Sequence, residues 1–147
     1  MTTTSPPFQQ LEQRVLAMPM ARTLGLFFKH IAPGEVEVEI PVLDTFTFRP
    51  GQLQATAVFA VADFAAVAAA GTLLAPGWTH ATVDATIKLV APAQGVLLRA
   101  RGRVLSAGKL LTVCAADVYA VSPEGEETLC ATLLGTARNL NTATRPV

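Results

Sequence analysis

The chain has 147 residues, which fits one compact domain with a single hydrophobic core. Apolar residues make up 51% of it and charged residues 15%, a balance that excludes intrinsic disorder and indicates more buried surface than a monomer needs. We therefore expect a homo-oligomer. The 11 basic and 11 acidic residues give zero formal charge, so no net field favours nucleic acid or an anionic membrane as a partner.

The N-terminal part, residues 1–20, is predicted to be a helical segment. Its apolar residues recur at helical spacing, at Phe8, Leu11, Val15 and Leu16. The pattern stops at Pro19. No basic region followed by an apolar run is visible, so no secretory signal is expected. The two cysteines, Cys114 and Cys130, lie in apolar stretches and are interpreted as core residues. These features predict a cytoplasmic protein.

A β-hairpin is predicted next, from an apolar stretch at 24–31, a Pro33-Gly34 turn and a second strand at 35–40. The second strand alternates Glu with Val, Val and Ile. We expect the Glu side chains to face solvent and the apolar side chains to face the core.

A loop over 44–51 precedes a long apolar helix that is expected to begin near Leu53 and to be capped by Gly71. The stretch approaches the roughly 20 residues of a membrane span. It is rich in alanine, however, and contains Asp63, and strands are predicted on both sides. We therefore expect a buried helix in a soluble protein.

Four strands are predicted after the helix, at 78–90, 96–105, 110–121 and 128–140, and a disordered tail at 141–147. The short turns between them favour an antiparallel meander. Because strands and helices do not alternate, the class is α+β. A helix that is apolar all round needs cover, so we predict one domain over 1–147 in which a curved antiparallel sheet wraps around one long central helix.

Asp63 is the most informative residue, because no other ionisable side chain occurs between Arg49 and His80. Burying an unpaired carboxylate costs several kcal/mol, so folding alone gives little reason to place one there. One interpretation is a hydrogen-bonded structural aspartate or one that faces solvent. The other is a general base, or a nucleophile, in a desolvated cleft.

For other polar residues the default interpretation is structural. Arg99, Arg101 and Arg103 share one strand face, which by default is a solvated outer face. His30 and His80 are widely separated and lack zinc-ligand spacing, so no metal site is expected.

Three motifs occur in order along the chain: Val61-Ala62-Asp63 in the long helix, Thr82-Val83-Asp84 running on to Ala91-Pro92-Ala93, and Gly108-Lys109 in a hairpin turn. Over residues 25–139 the sequence resembles the hotdog-fold acyl-CoA thioesterases of the phenylacetate-degradation type. In that family a His-Gly-Gly triplet opens the central helix and the catalytic Asp follows nine positions after the His. Here Asp63 matches, and Gln54-Ala55-Thr56 replaces the triplet.

The resemblance implies hydrolysis of a medium-chain or aromatic acyl-CoA, with Asp63 as general base or nucleophile and Thr82 orienting the attacking water. The N–H groups of Ala55 and Thr56 would form an oxyanion hole, with Gln54 as a further donor. Nine helical residues span about 13.5 Å, so two chains must complete each site, in a homodimer or dimer of dimers. No cofactor is expected beyond the CoA of the substrate. Further substrate contacts are assigned to Arg49, to Phe59 and Phe64 in the acyl pocket, and to Arg103 and Lys109, which would hold the phosphates of CoA.

Two alternatives remain at this point. Loss of the His-Gly-Gly triplet favours a non-catalytic hotdog module that binds acyl-CoA or another apolar ligand, because Ala55 and Thr56 add side chains where glycines allow close approach. A hotdog hydratase would need a histidine and an acid in one cleft, and neither His30 nor His80 lies in a recognisable motif.

Overall fold

A computed structural model describes residues 6–144. The described part begins with two short helices, α1 (Pro6–Leu16) and α2 (Pro19–Leu24). The helix expected in this region is therefore two helices that meet at Pro19, which occupies the first position of α2 and suits a helix start. Residues 1–5 of the predicted helical segment lie outside the described residues.

The strands are β1 (Phe27–Ala32), β2 (Glu35–Pro41), β3 (Thr47–Arg49), β4 (Gln52–Leu53), β5 (Trp78–Leu89), β6 (Leu97–Ala107), β7 (Leu111–Val121) and β8 (Glu127–Asn141). Six of them form one antiparallel sheet in the order β1-β2-β6-β7-β8-β5. The predicted hairpin is confirmed as β1–β2, with Val36, Val38 and Ile40 buried beneath it. Where a loop was expected, a 3-10 helix (Asp44–Phe46) leads into the small β3–β4 hairpin.

The predicted four-strand meander is wrong at its first step. β6, β7 and β8 do follow one another, but β5 pairs with β8 at the sheet edge and β6 pairs with β2. The segment 90–96 is therefore a crossover rather than a hairpin turn. Its backbone bonds elsewhere: Leu53 N–H donates to Ala93 O at 3.0 Å, and Val96 N–H to Val121 O at 2.8 Å.

The central helix α3 (Ala55–Gly71) lies across the inner face of this sheet. Small residues form the contact on both the helix and the sheet. Gly102 of the sheet lies against α3, and the helix buries four alanines fully: Ala62, Ala65, Ala66 and Ala69. A Cβ at Gly102 would overlap the backbone carbonyl of Ala65. The alanine-rich composition of α3 thus reflects a close helix–sheet approach, and the predicted α+β hotdog architecture is confirmed.

The ends of two elements differ from expectation. Gly71 is the last residue of α3 and does not cap it; the cap is Thr72 in right-handed conformation. A Cβ at Gly71 would lie 3.0 Å from the Leu11 side chain, so the glycine makes room for α1. At the C-terminus β8 reaches Asn141 and a 3-10 helix covers Thr142–Thr144, where a disordered tail was expected. Residues 145–147 of that tail lie outside the described part.

The outer face of the sheet is charged and internally paired. Arg99 Nε donates to Glu39 Oε1 at 2.8 Å, and Arg101 Nε donates to Glu37 Oε2 at 2.7 Å. Arg101 also bridges to Glu127 at 2.7 Å. The default interpretation of the arginine-bearing strand, an outer face, agrees with this arrangement.

Candidate active site

Asp63 meets Thr82 at the centre of the candidate site. Asp63 lies on the part of α3 that the sheet leaves partly uncovered, and Thr82 lies on β5. The Thr82 hydroxyl donates a hydrogen bond to Asp63 Oδ1 at 3.0 Å. This contact joins two residues that are 19 positions apart in the sequence.

A β-bulge explains how Thr82 reaches the helix. The β5–β8 register shifts between Thr82 and Asp84, so Val83 is an extra residue without an opposite partner. Thr82 lies opposite Ala137, which is buried on the inner face, whereas Asp84 lies opposite the next residue along, Thr136. Bulges commonly redirect side chains beside functional sites. Here the bulge turns Thr82 inward and Asp84 outward.

A cavity of about 300 Å³ opens beside this pair, between α1, α3 and β5. This volume is at the lower end of the range of small-molecule sites. Its lining is mostly apolar and comprises Leu11, Arg14, Val15, Met18, Asp63, Phe64, Val67, Ala68, Gly71, Leu74, Thr79, His80 and Thr82.

The surroundings of Asp63 raise its pKa, because partial burial disfavours the charged carboxylate. The hydrogen bond from Thr82 acts in the opposite direction and lowers the pKa, but its effect is the smaller. A carboxylate whose pKa lies above its ordinary value is a stronger base when ionised, which suits proton abstraction from water.

The N-terminus of α3 presents unpaired backbone donors at a different place. Gln54 is the N-cap, makes no side-chain cap hydrogen bond, and is exposed together with Ala55 and Thr56. Within residues 6–144 no acceptor is recorded for the N–H groups of Ala55 and Thr56. Such groups are a ready site for a developing negative charge.

These two halves do not meet within one chain. The surface depression at the helix start, about 120 Å³, includes Gln54 and Thr56 and shares no lining residue with the cavity beside Asp63. The separation agrees with the rise of about 13.5 Å over nine helical residues.

The other predicted substrate contacts are dispersed. Phe64 lines the cavity beside Asp63, whereas Phe59 is exposed on the uncovered side of α3. Arg49 is exposed on the β3–β4 hairpin, with its guanidinium 4.8 Å from the Phe48 ring centroid. Arg103 lies on the outer face of the sheet, paired with Asp117 at 3.0 Å, and does not line the cavity.

Lys109 is exposed in the β6–β7 turn, which Asn139 anchors. The Asn139 amide donates to the carbonyl oxygens of Gly108 at 2.8 Å and Lys109 at 3.1 Å. Asn139 also lies directly opposite His80 across β8 and β5. The turn is thus fixed near the His80 end of β5.

Sequence reasoning missed the position of His80, which lines the same cavity as Asp63. Its Nε2 is buried and has no hydrogen-bond partner among residues 6–144. A signal existed, since residues two apart in a strand share a face and His80 precedes Thr82 by two. Among the same residues no group of three or more His, Cys, Asp and Glu side chains could hold a metal ion.

The six-stranded antiparallel sheet wrapped on a single long helix places the protein in the hotdog class. No protein-family model and no curated protein matches the sequence. Solved structures do match. A thioesterase family protein from Silicibacter pomeroyi is 31% identical, with 92% of this chain and 98% of that chain covered and a TM-score of 0.88. The chain therefore belongs to the thioesterase family.

More distant structures share the fold. A thioesterase from Haemophilus influenzae is 19% identical, with coverage of 99% and 97% and a TM-score of 0.82. The PaaI protein from the phenylacetic acid degradation operon of E. coli is 18% identical, with coverage of 91% and 93% and a TM-score of 0.77. In the part of the chain that the structure describes, no helix is long and apolar enough to cross a membrane.

Proposed function

We propose that the protein hydrolyses a medium-chain or aromatic acyl-CoA at a site shared by two subunits. The single observation that carries the proposal is the partly buried Asp63, hydrogen-bonded to Thr82 beside a mostly apolar cavity. Asp63 takes a proton from water and the hydroxide adds to the thioester carbonyl. The C–S bond of the tetrahedral intermediate then breaks and the Asp63 carboxyl returns the proton to the departing sulfur, which gives a carboxylic acid and CoA thiol. The N-terminus of the partner's central helix stabilises the oxyanion.

The need for a second subunit follows from the separation between Asp63 and the start of α3. Two features support a dimer that brings them together. β5 is an edge strand, and one side of its backbone pairs with no other strand among the described residues. The neighbouring face of α3 exposes Phe59, and the bulge residue Val83 is 56% exposed. Edge pairing of β5 with its copy would cover both surfaces.

The first test is release of CoA thiol from a panel of acyl-CoA thioesters by the purified protein. Turnover of medium-chain or aromatic thioesters is the expected result. Saturable binding without turnover would favour the alternative, a non-catalytic module, which draws its support from Gln54, Ala55 and Thr56 in place of the His-Gly-Gly triplet.

Ala55→Pro tests the oxyanion hole with little disturbance of the helix. Proline is favoured at the first helical position and removes only the N–H there, and Gln54 already has the extended ψ of 150° that a residue before proline requires. We expect kcat to fall by about 10²-fold or more, the cost of losing one oxyanion donor. An unchanged kcat would remove Ala55 from the mechanism.

Mixing this variant with an Asp63→Asn variant then tests the shared site. If each site takes Asp63 from one subunit and the helix start from the other, a mixed dimer has one intact and one doubly defective site. Co-expression at equal levels is expected to recover about a quarter of the wild-type sites in the unfractionated mixture, and about half in mixed dimers isolated by two affinity tags. No recovery in isolated mixed dimers would contradict a two-chain site.

Thr82→Val is expected to change the pH dependence as well as the rate. Loss of the hydroxyl removes the contact that lowers the pKa of Asp63, so that pKa rises further. Because the ionised base is the active form, the acidic limb of kcat/KM should move to higher pH. At neutral pH kcat/KM should fall by about 10-fold or more.

Thr82→Ser keeps the hydroxyl and should retain the wild-type profile. Thr86→Val is the matched control, since Thr86 lies on the same strand but opposite the exposed Leu134. An acidic limb that stays in place in Thr82→Val would separate Thr82 from the ionisation of Asp63.

A further inference from the structure

Helix α1 forms one wall of the cavity beside Asp63. The opposite wall is a stripe of α3 that runs from Asp63 to Gly71, and β5 supplies the third. Four residues in or just after α1 line the cavity at helical spacing: Leu11, Arg14, Val15 and Met18. α1 therefore covers one side of the space next to the reacting carboxyl.

This cover is attached to the rest of the fold through few apolar side chains. Val15, at 7% exposure, is the one buried residue of α1, and the structure describes all 11 residues of that helix. Leu11 fills the space left by the missing side chain of Gly71, where a Cβ would lie 3.0 Å from a Leu11 methyl carbon. A segment that buries so little apolar surface opens at a lower free-energy cost than the core of the domain.

The segment that follows α1 is held more firmly. In α2, Ala21 and Leu24 are each 1% exposed, and Leu26 N–H donates to Ala21 O at 2.9 Å. Met18, between the two helices, is extended with φ −66° and ψ 131° and precedes Pro19. Proline cannot continue α1, because it lacks an N–H and restricts the residue before it. The joint at Met18–Pro19 is therefore where α1 can rotate while α2 stays in place.

We propose that α1 is a lid that opens about the Met18–Pro19 joint to admit reactants to Asp63 and to release products. The inference rests on the proposed thioester hydrolysis, in which a thioester and water must reach Asp63. In the closed position the lid limits the access of bulk water to the reacting groups, as lids of other enzymes do.

The contact between Leu11 and Gly71, here called the latch, holds the lid closed. The eight residues from Asp63 to Gly71 place the latch about 12 Å along α3 from the reacting carboxyl. The latch can therefore be altered without a change to Asp63 or Thr82. It offers a direct way to test whether α1 must move during turnover.

The experiment locks the latch with a reversible cross-link, in the double variant Leu11→Cys/Gly71→Cys. The native thiols do not compete, because Cys114 and Cys130 are at most 1% exposed. CoA release is measured on one preparation after oxidation and again after reduction. We expect oxidation to lower kcat/KM for octanoyl-CoA by about tenfold or more, and reduction to restore it. The single variant Leu11→Cys, oxidised in the same way, should keep its activity.

Trypsin cleavage gives a second measurement that does not depend on catalysis. Cleavage after Arg14 requires α1 to leave the fold, and Arg22 on the firmly held α2 is the matched site. Leu11→Ala weakens the latch and should speed cleavage after Arg14 by about fivefold or more, because the rate follows the population of the open form. Cleavage after Arg22 should not change.

Equal activity of the oxidised and reduced forms of a fully cross-linked protein would overturn the lid. So would cleavage after Arg14 that is no faster in Leu11→Ala than in wild type. If the disulfide does not form, a short bismaleimide joins the same two cysteines, and activity is compared before and after coupling.

The lid and the hydrolysis fail in different ways. Turnover that the cross-link leaves unchanged removes only the lid. No turnover by wild type across the thioester panel removes the hydrolysis, and the trypsin measurement then decides on the movement of α1.

Discussion

Asp63→Asn is expected to reduce kcat for thioester hydrolysis by about 10³-fold, within the range for loss of a general base. The amide can still accept the Thr82 hydrogen bond but cannot take a proton from water. Packing should be preserved because aspartate and asparagine side chains have nearly the same shape. The measurement is steady-state CoA release by wild type and variant.

Asp84→Asn is the matched control for this experiment. Asp84 lies two positions from Thr82 on the same strand, but the Val83 bulge places it opposite Thr136 and it is exposed. Its substitution should leave kcat unchanged. Equal activity of a folded Asp63→Asn variant and wild type would rule out the proposed mechanism.

The Asp63→Asn variant should also be more stable than wild type at neutral pH. The folded-state pKa of Asp63 is raised, so its stabilising effect is present below the unfolded pKa and is lost as pH rises through the folded value. At pH 7 the ionised carboxylate therefore disfavours folding. Asp63→Asn should raise the melting temperature at pH 7, and the gap should narrow under acidic conditions. Gain of stability with loss of activity is typical of catalytic residues.

Gly102→Ala is expected to have the largest effect on stability. The added Cβ would overlap the Ala65 carbonyl, and backbone cannot move aside by changing a rotamer. Either α3 lifts from the sheet or β6 shifts, at a cost of about 3 kcal/mol or more. Urea unfolding at fixed protein concentration measures the difference.

Gly135→Ala provides the comparison. Its Cβ would lie 3.3 Å from a Leu133 side-chain carbon, which can adjust, so the expected cost is at most about 1 kcal/mol. Equal urea midpoints for the two variants would contradict the close helix–sheet contact at Gly102.

Local sequence patterns were enough to predict much of the fold. Alternation placed Val36, Val38 and Ile40 in the core, and the apolar run identified α3. Strand partners were harder, because the segment 92–95 resembles a turn although it belongs to a crossover. Turn chemistry describes the chain over a few residues, whereas the neighbour of a strand depends on the whole sheet.

The candidate site likewise contains residues that the sequence identifies and residues whose role depends on the whole fold. Isolation of Asp63 among apolar residues pointed to it directly, and the family resemblance supplied Thr82. The role of Gly71 could not be predicted, since its lack of a side chain accommodates Leu11 from a helix 60 positions away in the sequence. Neither metal-ligand spacing nor a hydratase motif identifies His80; its place in the cavity follows from its position two residues before Thr82 on one strand.

The two sides of α3 should therefore diverge at different rates among relatives. On the sheet side, the backbone of Ala65 and Ala66 approaches Gly102 closely and both alanine side chains are fully buried, so larger residues at this contact are costly. On the cavity side, Phe64 and Val67 are only partly buried and can be exchanged at small energetic cost. Natural variation can thus reshape the cavity while the scaffold stays constant, so new substrate preferences can arise by drift on one half of one helix.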